Sequence, residues 1–117
     1  MIFQFYLGGY GRDSYRLTLK GNVLSCTNYY GLPMPDQEKL VPIEDGNNDW
    51  ALVLELLQKA KWQRSYWTPC CDGTQWELEV KAPGLKIKSQ GSNSYPDGFE
   101  TFLVLLNRVL IPAGVEI

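Results

Sequence analysis

Residues 74–89 read TQWELEVKAPGLKIKS. Trp76, Leu78 and Val80 alternate with Gln75, Glu77, Glu79 and Lys81. Strict two-residue alternation is the mark of a strand with one buried and one wet face. After the turn at 82–84, Leu85 and Ile87 alternate with Lys86 and Lys88. Pairing Val80 with Leu85 sets Leu78 opposite Ile87, Glu79 opposite Lys86 and Glu77 opposite Lys88. Apolar residues then meet on one face and opposite charges on the other, as cross-strand neighbours prefer. The stretch predicts an antiparallel hairpin that lays its oily side on a core.

A second hairpin lies upstream. Tyr15, Leu17 and Leu19 alternate with Arg16, Thr18 and Lys20, and Gly21-Asn22 is a two-residue turn signal. That turn places Lys20 opposite Val23, Leu19 opposite Leu24 and Leu17 opposite Cys26. Cys26 is therefore predicted to be a small buried hydrophobe. Residues 2–7, IFQFYL, read as a first strand and 62–67, WQRSYW, as another. In the latter, Trp62, Arg64 and Tyr66 would share one face. KLVPI, residues 39–43, reads as a short strand that Pro42 confines to a sheet edge.

Two segments carry a helical period. Trp50, Val53, Leu54 and Leu57 form a stripe, widened by Leu52 and Leu56, with Asn48 or Asp49 as cap. Phe99, Phe102, Leu103, Leu106, Val109 and Leu110 form another. Asp97 and Glu100 are placed as its capping box, and Pro112 as its stop. Residues 31–48 are a long connection rich in proline, glycine and acids. The predicted fold is a single α+β domain, residues 1–117. An antiparallel sheet of about five to six strands carries two helices on one face.

The chain has 117 residues, a net charge of −2 and no histidine. No cluster of Lys and Arg marks a phosphate backbone, so nucleic acid is not an expected partner. The start, MIFQFYLGGYGR, has no basic leader and no run fit to span a bilayer, so no membrane is expected and the cytoplasm is the predicted compartment. Without histidine the usual neutral-pH base and the commonest metal ligand are missing. Cys26, Cys70 and Cys71 lack zinc-ligand spacing, and Asp72 beside the adjacent pair would raise rather than lower a thiol pKa. Asp72-Gly73 is a turn signal, so Cys70 and Cys71 are placed at a bend. No metal and no cofactor is expected.

Glu77 and Glu79 lie about 7 Å apart on one strand face, a spacing that suits an acid–base pair. Lys86 and Lys88 stand opposite, and a solvated charge ladder is the simpler reading. GGYGR, residues 8–12, lacks the strand–loop–helix setting of a phosphate loop and reads as a turn. The signal left over is aromatic. Of 15 aromatic residues, several sit next to polar loops, where tyrosine and tryptophan serve protein interfaces and sugar-stacking sites. The candidate binding residues are Tyr66, Trp67, Asp72, Asn93 and Tyr95; no catalytic set is found, and the chain is not expected to be an enzyme.

Asp72, Gly73, Trp76, Gly91, Asn93, Tyr95, Pro96 and Phe99 form a pattern, DGTQW followed by GSNSYPDGF and an amphipathic helix. Over residues 62–110 this resembles a pattern in small bacterial proteins, some of which are assigned as immunity proteins against toxins. The resemblance implies that these residues are fold determinants, and it carries no activity or cofactor. It leaves the N-terminal half and the adjacent cysteines uncovered. The function it favours is binding another protein, in the manner of an immunity or antitoxin-like inhibitor. Asp36, Glu38, Glu44, Asp45 and Asp49 would steer a basic partner such as a nuclease toxin. A small-ligand or glycan-binding module built on Tyr66, Trp67 and Tyr95 is the alternative.

Overall fold

The computed structural model describes residues 1–9, 13–29, 38–69 and 73–117. Among the described residues there are seven strands and two helices: β1 (Ile2–Gly9), β2 (Ser14–Lys20), β3 (Val23–Tyr29), β4 (Glu38–Pro42), α1 (Asn48–Lys59), β5 (Ser65–Trp67), β6 (Thr74–Ala82), β7 (Leu85–Ser92) and α2 (Phe99–Leu110). A 3-10 turn over Ile111–Ala113 follows, with Pro112 at its start. All seven strands form one sheet, in the order β4-β3-β2-β1-β6-β7-β5. The fold is α+β and mostly antiparallel, but the sheet exceeds the expected five to six strands and is mixed.

The expected first strand, β1, is the centre of the sheet. It pairs with β2 on one side and β6 on the other, so the two hairpins join through the chain's first strand. A strand flanked on both sides buries its inward residues deeply, and Phe3, Phe5 and Leu7 are all buried. Phe3 meets Trp50 of α1 edge-on at 5.1 Å, and Phe5 meets Phe102 of α2 at 5.1 Å. Both helices therefore cover the same face, packed side by side. The molecule is a slab of 42 × 36 × 20 Å, the thinness of one sheet under one helix layer.

The β2–β3 hairpin has the expected register, with Lys20 opposite Val23, Leu19 opposite Leu24 and Leu17 opposite Cys26. Gly21 takes φ +64° at its turn. Cys26 is 5% exposed, and its thiol points at the Leu24 carbonyl at 3.8 Å. Burial pushes its pKa up to about 11.

The β6–β7 hairpin differs from expectation by two residues. Ala82 pairs with Leu85, Lys81 with Lys86, Val80 with Ile87, Glu79 with Lys88 and Glu77 with Gln90. A tight turn at Pro83-Gly84, with Gly84 at φ +74°, selects this register. A slip of two keeps every side chain on its face, so the alternation is satisfied equally by both pairings. The actual one sets Lys81 against Lys86, a like-charge pair that costs a few tenths of a kcal/mol. It also aligns Ser89 with Leu78 on the helix side, where the Ser89 hydroxyl donates to the Gln63 carbonyl.

Residues 62–67 are a strand only from Ser65 to Trp67, parallel to β7. Trp67 and Gln75 both align with Ser92, so β5 ends where β6 begins. β7 lies between β5 and β6 in the sheet, parallel to the first and antiparallel to the second. Trp62, ahead of the strand, turns its ring into the core against Trp76 (5.8 Å) and donates its indole N–H to the Asp97 carbonyl at 3.1 Å.

Helix caps also shift. Asn47, not Asn48 or Asp49, caps α1, its Oδ1 accepting from the Trp50 N–H at 3.0 Å. Leu52 is 40% exposed, so that helix is less covered than its stripe suggests. Gly98 at φ 87° caps α2 with no side-chain bond. The Phe99 N–H bonds the Pro96 carbonyl at 3.2 Å, a turn that needs a left-handed third residue and leaves Asp97 outside the cap. GGYGR is not wholly a turn: Gly8 and Gly9 belong to β1, and 10–12 lie outside the described residues. Pro42 ends β4, an edge strand as expected.

Candidate functional site

Both helices lie on one side of the sheet, and among the described residues no helix or strand covers the other, here called the bare face, although Ser14 and Ser25 on it are buried. Its side chains are the polar half of each alternation. One cross-strand row runs Thr27, Arg16, Tyr6, Glu77, Gln90 and Ser65; the next holds Ser25, Thr18, Gln4, Glu79 and Lys88. Where these rows meet β1, β6 and β7 the surface dips into a hollow of about 230 Å³, lined by Tyr6, Arg16, Arg64, Glu77, Lys88 and Gln90 among others.

The charges in this hollow are unequally matched. Lys88 Nζ lies 3.9 Å from Glu79 Oε2. The pair is largely exposed, so it adds little to stability. Arg16 lies over the Tyr6 ring, its Cζ 5.0 Å from the centroid. A guanidinium at that distance is attracted by the ring and can still donate hydrogen bonds to a partner. Arg64 comes from the bend before β5, held where its carbonyl accepts from the Gln90 N–H at 3.0 Å. Arg64 lines the hollow, whereas Trp62 and Tyr66 pack into the core, so the three do not share one face as expected.

The four described candidate binding residues, Tyr66, Trp67, Asn93 and Tyr95, are not gathered into one platform. Tyr66 and Trp67 are consecutive on β5, and consecutive strand residues point to opposite faces. Tyr66 faces the core, its ring 6.1 Å from that of Trp76 and its hydroxyl accepting from the Gln63 N–H at 2.7 Å. Trp67 is on the bare face, 71% exposed, at a shallow depression with Gln75, Gln90 and Ser92. Tyr95 stacks on Phe99 at 5.0 Å in the helix layer. Asn93 joins β6 to β7: its Oδ1 accepts from the Thr74 N–H at 2.9 Å, and its own N–H donates to the Thr74 carbonyl at 2.9 Å. Asp72, with Cys70 and Cys71, lies outside the described residues.

Several residues of the DGTQW and GSNSYPDGF stretches have visible structural work. The Trp76 indole N–H donates to the Ser94 carbonyl at 2.9 Å. It does so across Gly91, where any Cβ would overlap both partners. Gly73 likewise leaves room for the Asn93 side chain. Among the described residues no group of three or more Cys, Asp or Glu is placed to hold a metal ion, and no helix is long and apolar enough to cross a membrane.

The sequence does not single out these residues: Arg16 reads as the polar side of its strand, Tyr6 as part of an apolar strand, and Arg64 as sharing a face with Trp62 and Tyr66. The available signal was in the register: in a β1–β2 antiparallel pair Tyr6 and Arg16 stand opposite, which allows the stack. No family model matches the chain, and neither a curated protein nor a solved structure shows significant similarity to it.

Proposed function

We propose that this chain is a non-enzymatic binding protein of the bacterial cytoplasm that acts on another protein through the bare face of its sheet. Its sharpest form is an immunity or antitoxin-like inhibitor. The observation that carries the reading is an asymmetry among the described residues: two helices cover one side of the seven-stranded sheet, and the other side holds a charged hollow. A rigid sheet face binds with little ordering cost, since its backbone is already held. The resemblance over residues 62–110 agrees with it. Glu38, Glu44 and Asp45 are exposed at one edge and would steer a basic region of the partner.

The test is capture of proteins encoded beside this chain, comparing wild type with Thr18→Arg on the bare face and Val104→Arg on the helix layer. A specific partner lost with T18R and kept with V104R supports the reading. No partner, or one lost only with V104R, contradicts it. A second reading rests on Trp67 alone, whose exposed ring beside Gln75, Gln90 and Ser92 suits a sugar face. Saccharides that quench wild-type fluorescence but not that of Trp67→Phe would favour it.

A further inference from the structure

We infer that the hollow at Tyr6, Arg16, Arg64 and Gln90 is a carboxylate-reading pocket that seats an acidic segment of the protein partner; this rests on the protein-binding reading above. Three cations line it, Arg16, Arg64 and Lys88, against two carboxylates, Glu77 and Glu79. Glu79 is engaged by Lys88. Two guanidiniums therefore face one remaining carboxylate, and the hollow is locally positive in a chain whose net charge is −2.

The chemistry favours a carboxylate over a larger anion. Arg16 has its Cζ 5.0 Å from the Tyr6 ring centroid, and a guanidinium offers paired N–H donors that match a planar, two-oxygen acceptor. Gln90 adds an amide donor in the same row as Glu77. A hollow of about 230 Å³ accommodates one or two side chains of a passing strand or loop rather than a folded element. Glu77 lies in the same hollow, cross-strand from Tyr6 and Gln90, and is the resident carboxylate that a partner's carboxylate must outcompete.

The test is an NMR titration of the full chain at low salt, following the Arg Nε–H and the amides of Tyr6, Glu77 and Gln90. The probe is acetyl-(Glu-Ser)₃-amide, with acetyl-(Lys-Ser)₃-amide and inorganic phosphate as comparisons. The acidic peptide should shift these signals saturably. Arg16→Gln with Arg64→Gln should weaken binding about tenfold, the loss of about 1.4 kcal/mol expected for charge-assisted bonds. Glu77→Gln should tighten it about two- to threefold by removing the competitor, an effect of the size set by one exposed charge pair. Loss of the fold in a variant would be visible in the same spectra, and Arg64→Gln alone, at an exposed bend, serves then. The inference is overturned by no shift, by equal response to the lysine peptide, by binding undiminished in the arginine variants, or by phosphate saturating the same signals at equal concentration. A captured partner whose footprint misses these residues would sink the pocket while leaving the bare face as the docking surface.

Discussion

Replacing Gly91 with alanine puts a methyl group where the Trp76 indole nitrogen meets the Ser94 carbonyl. In this row Tyr66, Gly91 and Trp76 stand side by side on β5, β7 and β6, and the two aromatic rings close over the glycine. Trp76 is fully buried, so it has no room to retreat. Overpacking of this kind costs about 1–3 kcal/mol. If the indole swings aside its N–H loses the Ser94 bond, which adds about 1–3 kcal/mol for an orphaned buried donor. The expected destabilisation is about 2–6 kcal/mol, a large part of the roughly 5–15 kcal/mol that holds a domain together. Urea unfolding followed by tryptophan fluorescence measures it. With a slope of roughly 1.5 kcal/mol/M, a loss of 3 kcal/mol lowers the midpoint by about 2 M. Trp76→Phe removes the clashing nitrogen, so the double variant W76F/G91A should cost at least about 1 kcal/mol less than the sum of the singles. A G91A protein within about 0.5 kcal/mol of wild type, or strict additivity with W76F, would refute the packing described for this row.

Other outcomes follow from single residues. Asn93 has φ 53° and holds Thr74 through its side chain; Asn93→Ala should cost about 2 kcal/mol and Asn93→Gly less, by thermal unfolding, because glycine keeps the backbone and loses only the bond. Asn47→Ala should cost about 1 kcal/mol, whereas Asp97→Ala should change stability by under about 0.5 kcal/mol, since Gly98 and not Asp97 caps α2. Cys26 has its pKa raised from 9.0 to about 11 by burial. The unfolded chain loses that proton first, so the contribution is intact below pH 9 and is lost as pH rises toward 11. In a C70S/C71S background the fall between pH 9 and 11, on the order of 2 kcal/mol, should flatten in Cys26→Ala. Lys86→Glu should stabilise by a few tenths of a kcal/mol at low salt by relieving Lys81.

What the sequence makes legible is which way side chains point, and what it hides is which strands meet. Leu78 and Val80 could be assigned to the core from their spacing, and they are there. Their partners could not, because Val80 against Leu85 and Val80 against Ile87 present the same faces; only the Pro83-Gly84 turn separates them. Tyr66 and Trp67 were grouped by composition, but on one strand they must part. The parallel pairing of β5 depends on where β6 starts relative to Ser92, a long-range fact with no local mark. Arg64 reaches the bare face because Gln63 and Arg64 bond to Ser89 and Gln90 of β7, contacts between segments 26 residues apart. The hollow likewise needs β1 between the two hairpins, and nothing in either hairpin's own pattern says so.

Carboxyl footprinting of the chain, free and in complex with its captured partner, tests the account most directly. A water-soluble carbodiimide labels exposed carboxylates, and Glu77 and Glu79 report the bare face while Glu55 and Glu100 report the helices. The account predicts that Glu77 and Glu79 become protected in the complex while Glu55 and Glu100 label as before. Protection of Glu55 and Glu100 with Glu77 and Glu79 unchanged would contradict it.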